Sequence, residues 1–293
     1  MPGTRGVPPD ERADIALTNV DFHCHSTISD GVLTPADVAR RAAANGVAAL
    51  ALTDHDELTG LAAARAAADA AGMRFVDGVE ISVTWGDATV HVVGLAIDPR
   101  NAALVAGLGS VRSRRTERAK EIAASLESIG IRGSLEGAYA HARNPALIGR
   151  THFARFIAGA GFARDVANVF KHYLVKGRPG YVPQRGAALA DAVGWIRDAG
   201  GLAVIAHPGR YGLPRLELER LVGEFREAGG AAIEIATGSH DSGHMAAFAR
   251  LARETGLAAS RGSDFHAPGE GIELGRAPKL PAALEPVWAR LPA

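Results

Sequence analysis

Cysteine is nearly missing from this sequence: among 293 residues, Cys24 is the only one. A single thiol excludes an intrachain disulfide framework and any thiolate-rich zinc site, so a bound metal would have to be held by histidine and carboxylate. Aromatic residues are also scarce, at 5% of the chain, and alanine fills many segments. That composition suits helices packed closely on a sheet rather than a β-sandwich. Net charge is lacking too, because 32 Lys and Arg balance 32 Asp and Glu. This argues against a protein that grips nucleic acid through overall charge, and no DNA sequence reading is expected. No apolar run reaches the roughly eighteen residues of a membrane span, and the opening MPGTRGVPPDERAD has no apolar stretch of the secretory kind. The expectation is a cytoplasmic protein with no membrane partner.

What is present is an alternation. Residues 1–17 are rich in Pro, Gly and charge and are expected to form a flexible N-terminal tail. From Thr18 onward, short apolar runs alternate with alanine-rich helical stretches. The runs are Asn19 to His25, Ala48 to Thr53, Arg74 to Val76, Val79 to Ser82, Val90 to Ile97, Leu202 to Ala206, Ala231 to Ala236 and Leu257 to Ser260. Strand alternating with helix implies a mostly parallel sheet or barrel. Thr34 can cap a helix that Pro35 begins, with Gly46 just past its end. Helical patterns also run over Arg112 to Ser128, Arg150 to Ala158, Ala163 to Val175, Ala187 to Ala199, Leu216 to Glu227 and Ser242 to Thr255.

About a hundred residues separate the runs ending at Ile97 and Ala206, far more than one crossover needs. Residues 99–183 therefore read as an inserted helical, basic subdomain in a barrel built from 18–98 and 184–293. Ser110 to Arg185 carries 14 Lys or Arg against 5 Asp or Glu, while the remainder carries 18 against 27. Such a segment can form an electropositive wall that orients an anionic substrate.

The chemistry sits where the strands stop. His23 and His25 are two apart on one strand and face the same way, with Cys24 facing the other. His or acid then recurs at Asp54-His55-Asp56, Glu80, His91, His207 and Asp264-Phe265-His266, with Asp30 in the loop after the first pair. In β/α barrels the strand ends form one rim, so ligands scattered through the sequence converge there. Imidazole with carboxylate suits zinc, manganese or ferrous iron rather than an all-oxygen magnesium or calcium site. Asp54, Asp56 and Glu234 are placed to orient ligating imidazoles. His141, His152, His172, His240 and His244 lack strand-end placement, although His152 follows Arg150 in the basic segment.

In order, His23-x-His25, Thr53-Asp54-His55-Asp56, Gly78-Val79-Glu80, His91, His207-Pro208 and Asp264-x-His266 resemble the polymerase and histidinol phosphatase (PHP) family of metal-dependent phosphoesterases, over Thr18 to Ala267. The resemblance implies an α/β fold, a distorted seven-stranded β/α barrel, and two or three divalent metal ions. Manganese comes first, with zinc or iron as alternatives. One ion would take His23, His25, Glu80 and Asp264; a second Glu80, His91 and His207; a third Asp30, His55 and His266. Within that set His23, His25, Glu80, His207 and Asp264 are expected to carry catalysis. Some members place a histidine where this chain has Asp30.

Four further segments resemble bacterial members that act on nucleoside 3′,5′-bisphosphates. These are His91-Val-Val-Gly-Leu, Gly149-Arg150-Thr151-His152-Phe153, Gly180-Tyr181-Val182-Pro183 and His207-Pro208-Gly209-Arg210. The implied reaction removes the 3′-phosphate to leave a nucleoside 5′-monophosphate, and such members also trim short RNA from a 5′-phosphorylated end. The implied partners are a small phosphorylated nucleotide and short RNA 5′ ends. Guanidinium groups recognise phosphate through paired donors, so Arg150, Arg178 and Arg210, with His152, are the expected substrate-binding residues. The alternatives are a histidinol phosphate phosphatase and a metal-stabilised scaffold without turnover.

Overall fold

A computed structural model of the chain describes residues 19–183 and 185–292, so the expected N-terminal tail lies outside the described residues. Among these, seven strands form one sheet in chain order: β1 Val20–Asp21, β2 Ala49–Leu52, β3 Arg74–Trp85, β4 Ala88–Leu95, β5 Leu202–Ile205, β6 Ala232–Ala236 and β7 Ala258–Arg261. Neighbours are parallel except around β4, which runs antiparallel to both β3 and β5. The two edges meet. The Phe22 N–H donates to the Arg261 carbonyl at 3.2 Å, Asp264 N–H to the His23 carbonyl at 2.8 Å, and His25 N–H to the Phe265 carbonyl at 2.9 Å. The result is a distorted, nearly closed seven-stranded β/α barrel.

Alternation along each strand sorts the core into two layers. Ala49 and Ala51 of β2 join Val20, Phe22, Val76, Val93, Val204, Ala232 and Ala258 in a cluster that contains no residue of the flanking helices, which places it inside the ring. Leu50 and Leu52 point the other way, against helices α1 Pro35–Ala44 and α2 Leu61–Ala70. Small residues inside and large ones outside fit a ring too narrow for bulky side chains on every strand. Val287, with Trp288 against it, joins the interior cluster. The first helix begins as its sequence suggests: Thr34 Oγ1 accepts from the Asp37 N–H, and Pro35 occupies the first helical position.

The two runs at Arg74 to Val76 and Val79 to Ser82 are one strand. Its first half pairs with β2 and its second half with β4, and this handover carries β3 across Gly78. Between β4 and β5 the chain builds α3 Ala102–Ser113, α4 Arg115–Glu127, α5 Ser134–His141, α6 Arg150–Gly159 and the short α7 Val166–Val169, which runs into a wider turn at Phe170–Leu174. It then returns through α8 Leu189–Asp198. Ile122, Leu126, Phe153, Ile157 and Leu174 from this segment form a cluster of their own, whereas Leu104, Leu108 and Val111 of α3 join the barrel's outer cluster. The sequence pattern misses α3 because it holds two glycines. Gly107 is there for contact: a Cβ at that position would fall 2.5 Å from the Trp195 ring of α8. The last two barrel helices are α9 Arg215–Glu227 and α10 Ser242–Thr255. No helix among the described residues is long and apolar enough to cross a membrane.

Candidate metal centre

The rim where β1, β2, β3 and β5 to β7 deliver their ends gathers nine residues into four overlapping groups: His25, Asp30, His55 and His266; His23, Glu80 and His207; His23, His25 and Asp264; and His55, Glu80 and His91. In each group the donor atoms lie within 4.8 Å of one another. His91 shows why direction matters. It sits midway along its strand, yet because β4 runs opposite to its neighbours it lies level with Ser82 of β3 and just beyond Ile205 at the end of β5. Cys24 faces away, buried in the outer cluster with its Sγ–H directed at the Ala51 carbonyl, 3.3 Å away.

Glu80 is central. Its Oε1 lies 2.8 Å from His91 Nδ1, 2.9 Å from His207 Nε2 and 3.3 Å from His23 Nε2, while Oε2 lies 2.8 Å from His55 Nδ1 and 3.4 Å from His25 Nε2. Asp264 Oδ1 stands 3.3 Å from His25 Nε2 and 3.6 Å from His23 Nε2, and Asp30 Oδ1 stands 3.3 Å from His266 Nε2. Several of these buried atoms approach without forming hydrogen bonds: His23 Nε2, His25 Nε2, His55 Nδ1 and Glu80 Oε2 have no hydrogen-bond partner. Buried polar atoms are costly when unsatisfied. Ligands about 2.1 Å from a shared tetrahedral centre lie about 3.4 Å from one another, close to the 3.3–3.6 Å that separates the carboxylate oxygens from the Nε2 atoms of His23, His25 and His266. The donor set therefore fits divalent cations better than it fits itself.

The electrostatics agree. Burial, helped by neighbouring His266 and His55, pushes His25 down to about 3, and burial pushes His91 down to about 4, so both imidazoles stay neutral with lone pairs available. Burial pushes Glu80 and Asp264 up, but the opposite charges around them outweigh it and hold both carboxyls well below their usual range. His266 is desolvated, yet Asp30 and Asp264 raise it to about 9. Carboxylates that would keep a proton on His266 equally attract a cation, whose binding would release that proton.

A surrounding shell fixes the imidazoles. Glu234 Oε1 lies 2.8 Å from His23 Nδ1, and its Oε2 accepts from the His207 backbone N–H at 2.6 Å. Asp54 does not touch an imidazole; it accepts from the backbone and hydroxyl groups of Ser26 and Ser29 and so shapes the loop that carries Asp30. Asp56 accepts from the Ser82 N–H at 2.8 Å and pairs with Arg115. Two of the candidate ligands sit on strained backbone: His207 has φ of 24° and Asp264 of 55°. L-residues other than glycine adopt that region at a cost that surrounding structure must enforce. Gly262 contributes by proximity, since a Cβ there would meet the His23 backbone nitrogen at 2.6 Å.

A cavity of about 120 Å³ lies over these ligands, and Arg115, Arg118, Arg150 and Arg210 line it. Arg150 reaches it from the first turn of α6, stacked over the Phe170 ring at 5.8 Å. Arg210 reaches Asp264 Oδ2 at 2.7 Å. Burial and the guanidinium groups of Arg150 and Arg115 push Arg118 down, the signature of cations crowded around a place for an anion. Arg115 and Arg118 were not singled out in the sequence. The available signal is their spacing of three, which puts both on one face of α4. Arg178 is exposed, and neither it nor His152 lines the cavity. His152 is buried, its Nδ1 accepts from the Gly149 N–H at 3.1 Å, and burial lowers it to about 4. Its role is to fasten the start of α6. His172 is also elsewhere, with Nδ1 2.9 Å from the Asn168 carbonyl oxygen. His240 precedes α10 and His244 lies in its first turn; His240 Nε2 accepts from the Gly209 N–H in the turn after β5 at 3.1 Å.

Comparison with known proteins agrees with this geometry. Residues 21–181 match the PHP domain. The chain is 53% identical to a 3′,5′-nucleoside bisphosphate phosphatase of Chromobacterium violaceum, over 94% of this chain and 98% of that protein. It is 44% identical to the 5′-3′ exoribonuclease Rnm of Escherichia coli, over 92% of each. Among solved structures, an amidohydrolase from Chromobacterium violaceum, with bound sulfate and no metal, superposes with a TM-score of 0.90 at 53% identity, covering 93% of this chain and 95% of that one.

Proposed function

Because this chain belongs to the PHP family of phosphoesterases, we propose that it removes the 3′-phosphate from nucleoside 3′,5′-bisphosphates and trims short 5′-phosphorylated RNA by the same reaction. One observation carries this reading: seven of the nine metal-ligand candidates and four arginines line a single cavity, with His23 and His25 buried behind it. Its volume, about 120 Å³, suits a phosphoryl group. The names of the two relatives, a bisphosphate phosphatase and a 5′-3′ exoribonuclease, support the substrate class.

In this reading His23, His25, Glu80 and Asp264 would hold one divalent ion, Glu80, His91 and His207 a second, and Asp30, His55 and His266 a third; the donor atoms that lie closest group His207 with His23 and Glu80, His91 with His55 and Glu80, and His25 with the last set. Manganese is the ion we favour, with zinc or iron as alternatives for an N,O donor set. Bound ions would supply Lewis acidity, acidifying a water and neutralising phosphoryl oxygens. The chain's own groups do the rest. Arg115, Arg118, Arg150 and Arg210 bind and orient the phosphoryl oxygens with planar donors. Glu234 holds His23 in one ring orientation, and the buried walls keep bulk water from the reacting phosphate.

The test is a substrate panel on protein of known metal content: adenosine 3′,5′-bisphosphate, a 5′-phosphorylated oligoribonucleotide and histidinol phosphate. Preference for the bisphosphate supports the reading; preference for histidinol phosphate, or no turnover with manganese, zinc or iron, refutes it. Arg150→Ala should lower kcat/KM for the bisphosphate by about 10–100-fold, since a charge-assisted contact contributes about 1.5–3 kcal/mol. A generic aryl phosphate should suffer less, and equal losses on both would remove Arg150 from phosphate recognition.

A further inference from the structure

The metal cavity is too small for a nucleoside: it holds about 120 Å³, against roughly 300–1,000 Å³ for pockets that enclose a small organic ligand. The rest of any nucleotide must lie in grooves that adjoin it, and two grooves among the described residues share lining residues with it. One, of about 810 Å³, shares Arg150 and Arg210 with the cavity and adds Lys176 and Arg220, with Asp87 and Glu217 as its carboxylates and Trp85, Tyr181 and Tyr211 as its aromatic residues. The other, of about 630 Å³, shares Phe170, Arg210, Asp264 and His266 with the cavity. Beyond Arg210 and His266 it is lined by the apolar Val166 and Ala167, by Gly269 and Gly271, and by the carboxylates of Asp165 and Glu270.

The two grooves thus differ in sign. Four cations against two carboxylates suit the end of a substrate that carries an extra phosphate, whereas one arginine against Asp165, Asp264 and Glu270 beside an apolar face suits an uncharged nucleoside and disfavours a second phosphate. The reaction decides which part goes where. A water oxygen bonds to phosphorus as the bond from phosphorus to the 3′-oxygen breaks, and a proton ends on that 3′-oxygen. The phosphate therefore stays with whatever is esterified to its far side. In a nucleoside bisphosphate nothing is; in RNA it is the 5′-oxygen of the next nucleotide, which leaves still 5′-phosphorylated.

Resting on the proposed reaction, we infer that the groove walled by Val166, Ala167 and Phe170 receives the nucleoside that follows the scissile phosphate, and that this groove separates RNA trimming from simple phosphatase action. The first nucleotide, with its 5′-phosphate, occupies the basic groove beside Lys176. Phe170 stands at the junction of cavity and groove, half-buried, where a base can stack on it.

The experiment compares the wild type with Ala167→Trp on adenosine 3′,5′-bisphosphate and on 5′-phosphorylated diadenylate. Ala167 is exposed, so the larger ring fills the groove without entering the core. The expected result is a loss of about tenfold or more in kcat/KM for the dinucleotide, of the size steric exclusion from a pocket produces, with bisphosphate turnover unchanged. Equal losses on both substrates, or undiminished dinucleotide cleavage by the variant, would overturn the assignment. So would a wild type that hydrolyses the bisphosphate and leaves the dinucleotide intact, although the phosphatase reading would then stand. A wild type inactive on both would bring down the proposed function itself, and the groove with it.

Discussion

Glu80 touches five histidines with two oxygens, more than any one hydrogen-bonding role requires. Its removal would leave neighbouring cations without a shared counter-charge. Glu80→Ala is therefore expected to lose bound metal as well as turnover, which elemental analysis of the purified variant would check; full metal content with normal rates would contradict the ligand assignment. Glu234 acts one step back, through His23 and the His207 N–H. Glu234→Gln keeps the shape but weakens that hold, and a loss of about 10–100-fold in metal affinity is expected, measured by competition with a chelator. At this scale the sequence was informative wherever an unusual residue type recurs at strand ends. It was mute about Arg115 and Arg118, because an arginine on a helix announces nothing until the helix is seen to face a cavity. It misdirected on His152, whose neighbour Arg150 faces the cavity while the imidazole turns inward to cap α6.

Helix α6 belongs to the segment between β4 and β5, yet it reaches back to the ligand-bearing loops. Arg155 Nη1 donates to the Asp30 carbonyl at 2.6 Å, and its Nη2 lies 3.8 Å from Glu270 in the loop after His266. The helix thus braces one ligand loop by its main chain and reaches toward another. Arg155→Met keeps the stem but removes the donors, so Asp30 should lose its fixed position. The expected outcome is a fall in metal stoichiometry confined to the Asp30, His55 and His266 group. A partial rescue by Arg155→Lys would separate a positioning role from a packing one; unchanged stoichiometry in Arg155→Met would dismiss it. Elements with strong punctuation were legible, as Thr34-Pro35 at the start of α1 and Ser242–Thr255 for α10 illustrate. Elements whose form depends on a partner were not: α3 carries Gly107, which the Trp195 ring explains, and β3 is continuous because two different neighbours pair with its two parts.

For the whole molecule the decisive feature is closure. Backbone bonds between residues near Phe22 and near Arg261 join parts of the chain more than two hundred positions apart, and no local pattern announces them. Closure brings Asp264 and His266 to His23 and His25, so the metal centre exists only in the folded state. Ions bound there would stabilise the fold by mass action, because the unfolded chain has no such site. At a thousandfold excess over Kd this amounts to about 4 kcal/mol per ion, or on the order of 5–10 °C in Tm for a chain of this size. The barrel core of Phe22, Val93, Val204 and their neighbours does not depend on the ions. Stripping metal with a chelator should therefore lower the calorimetric Tm by roughly 5–10 °C for each ion lost and leave the far-ultraviolet circular dichroism at 20–25 °C nearly unchanged. Adding manganese should restore the Tm. A protein shown to be metal-free that melts where the loaded protein melts would mean that the buried donors satisfy one another, and the reading of the rim as a cation cage would fail with them.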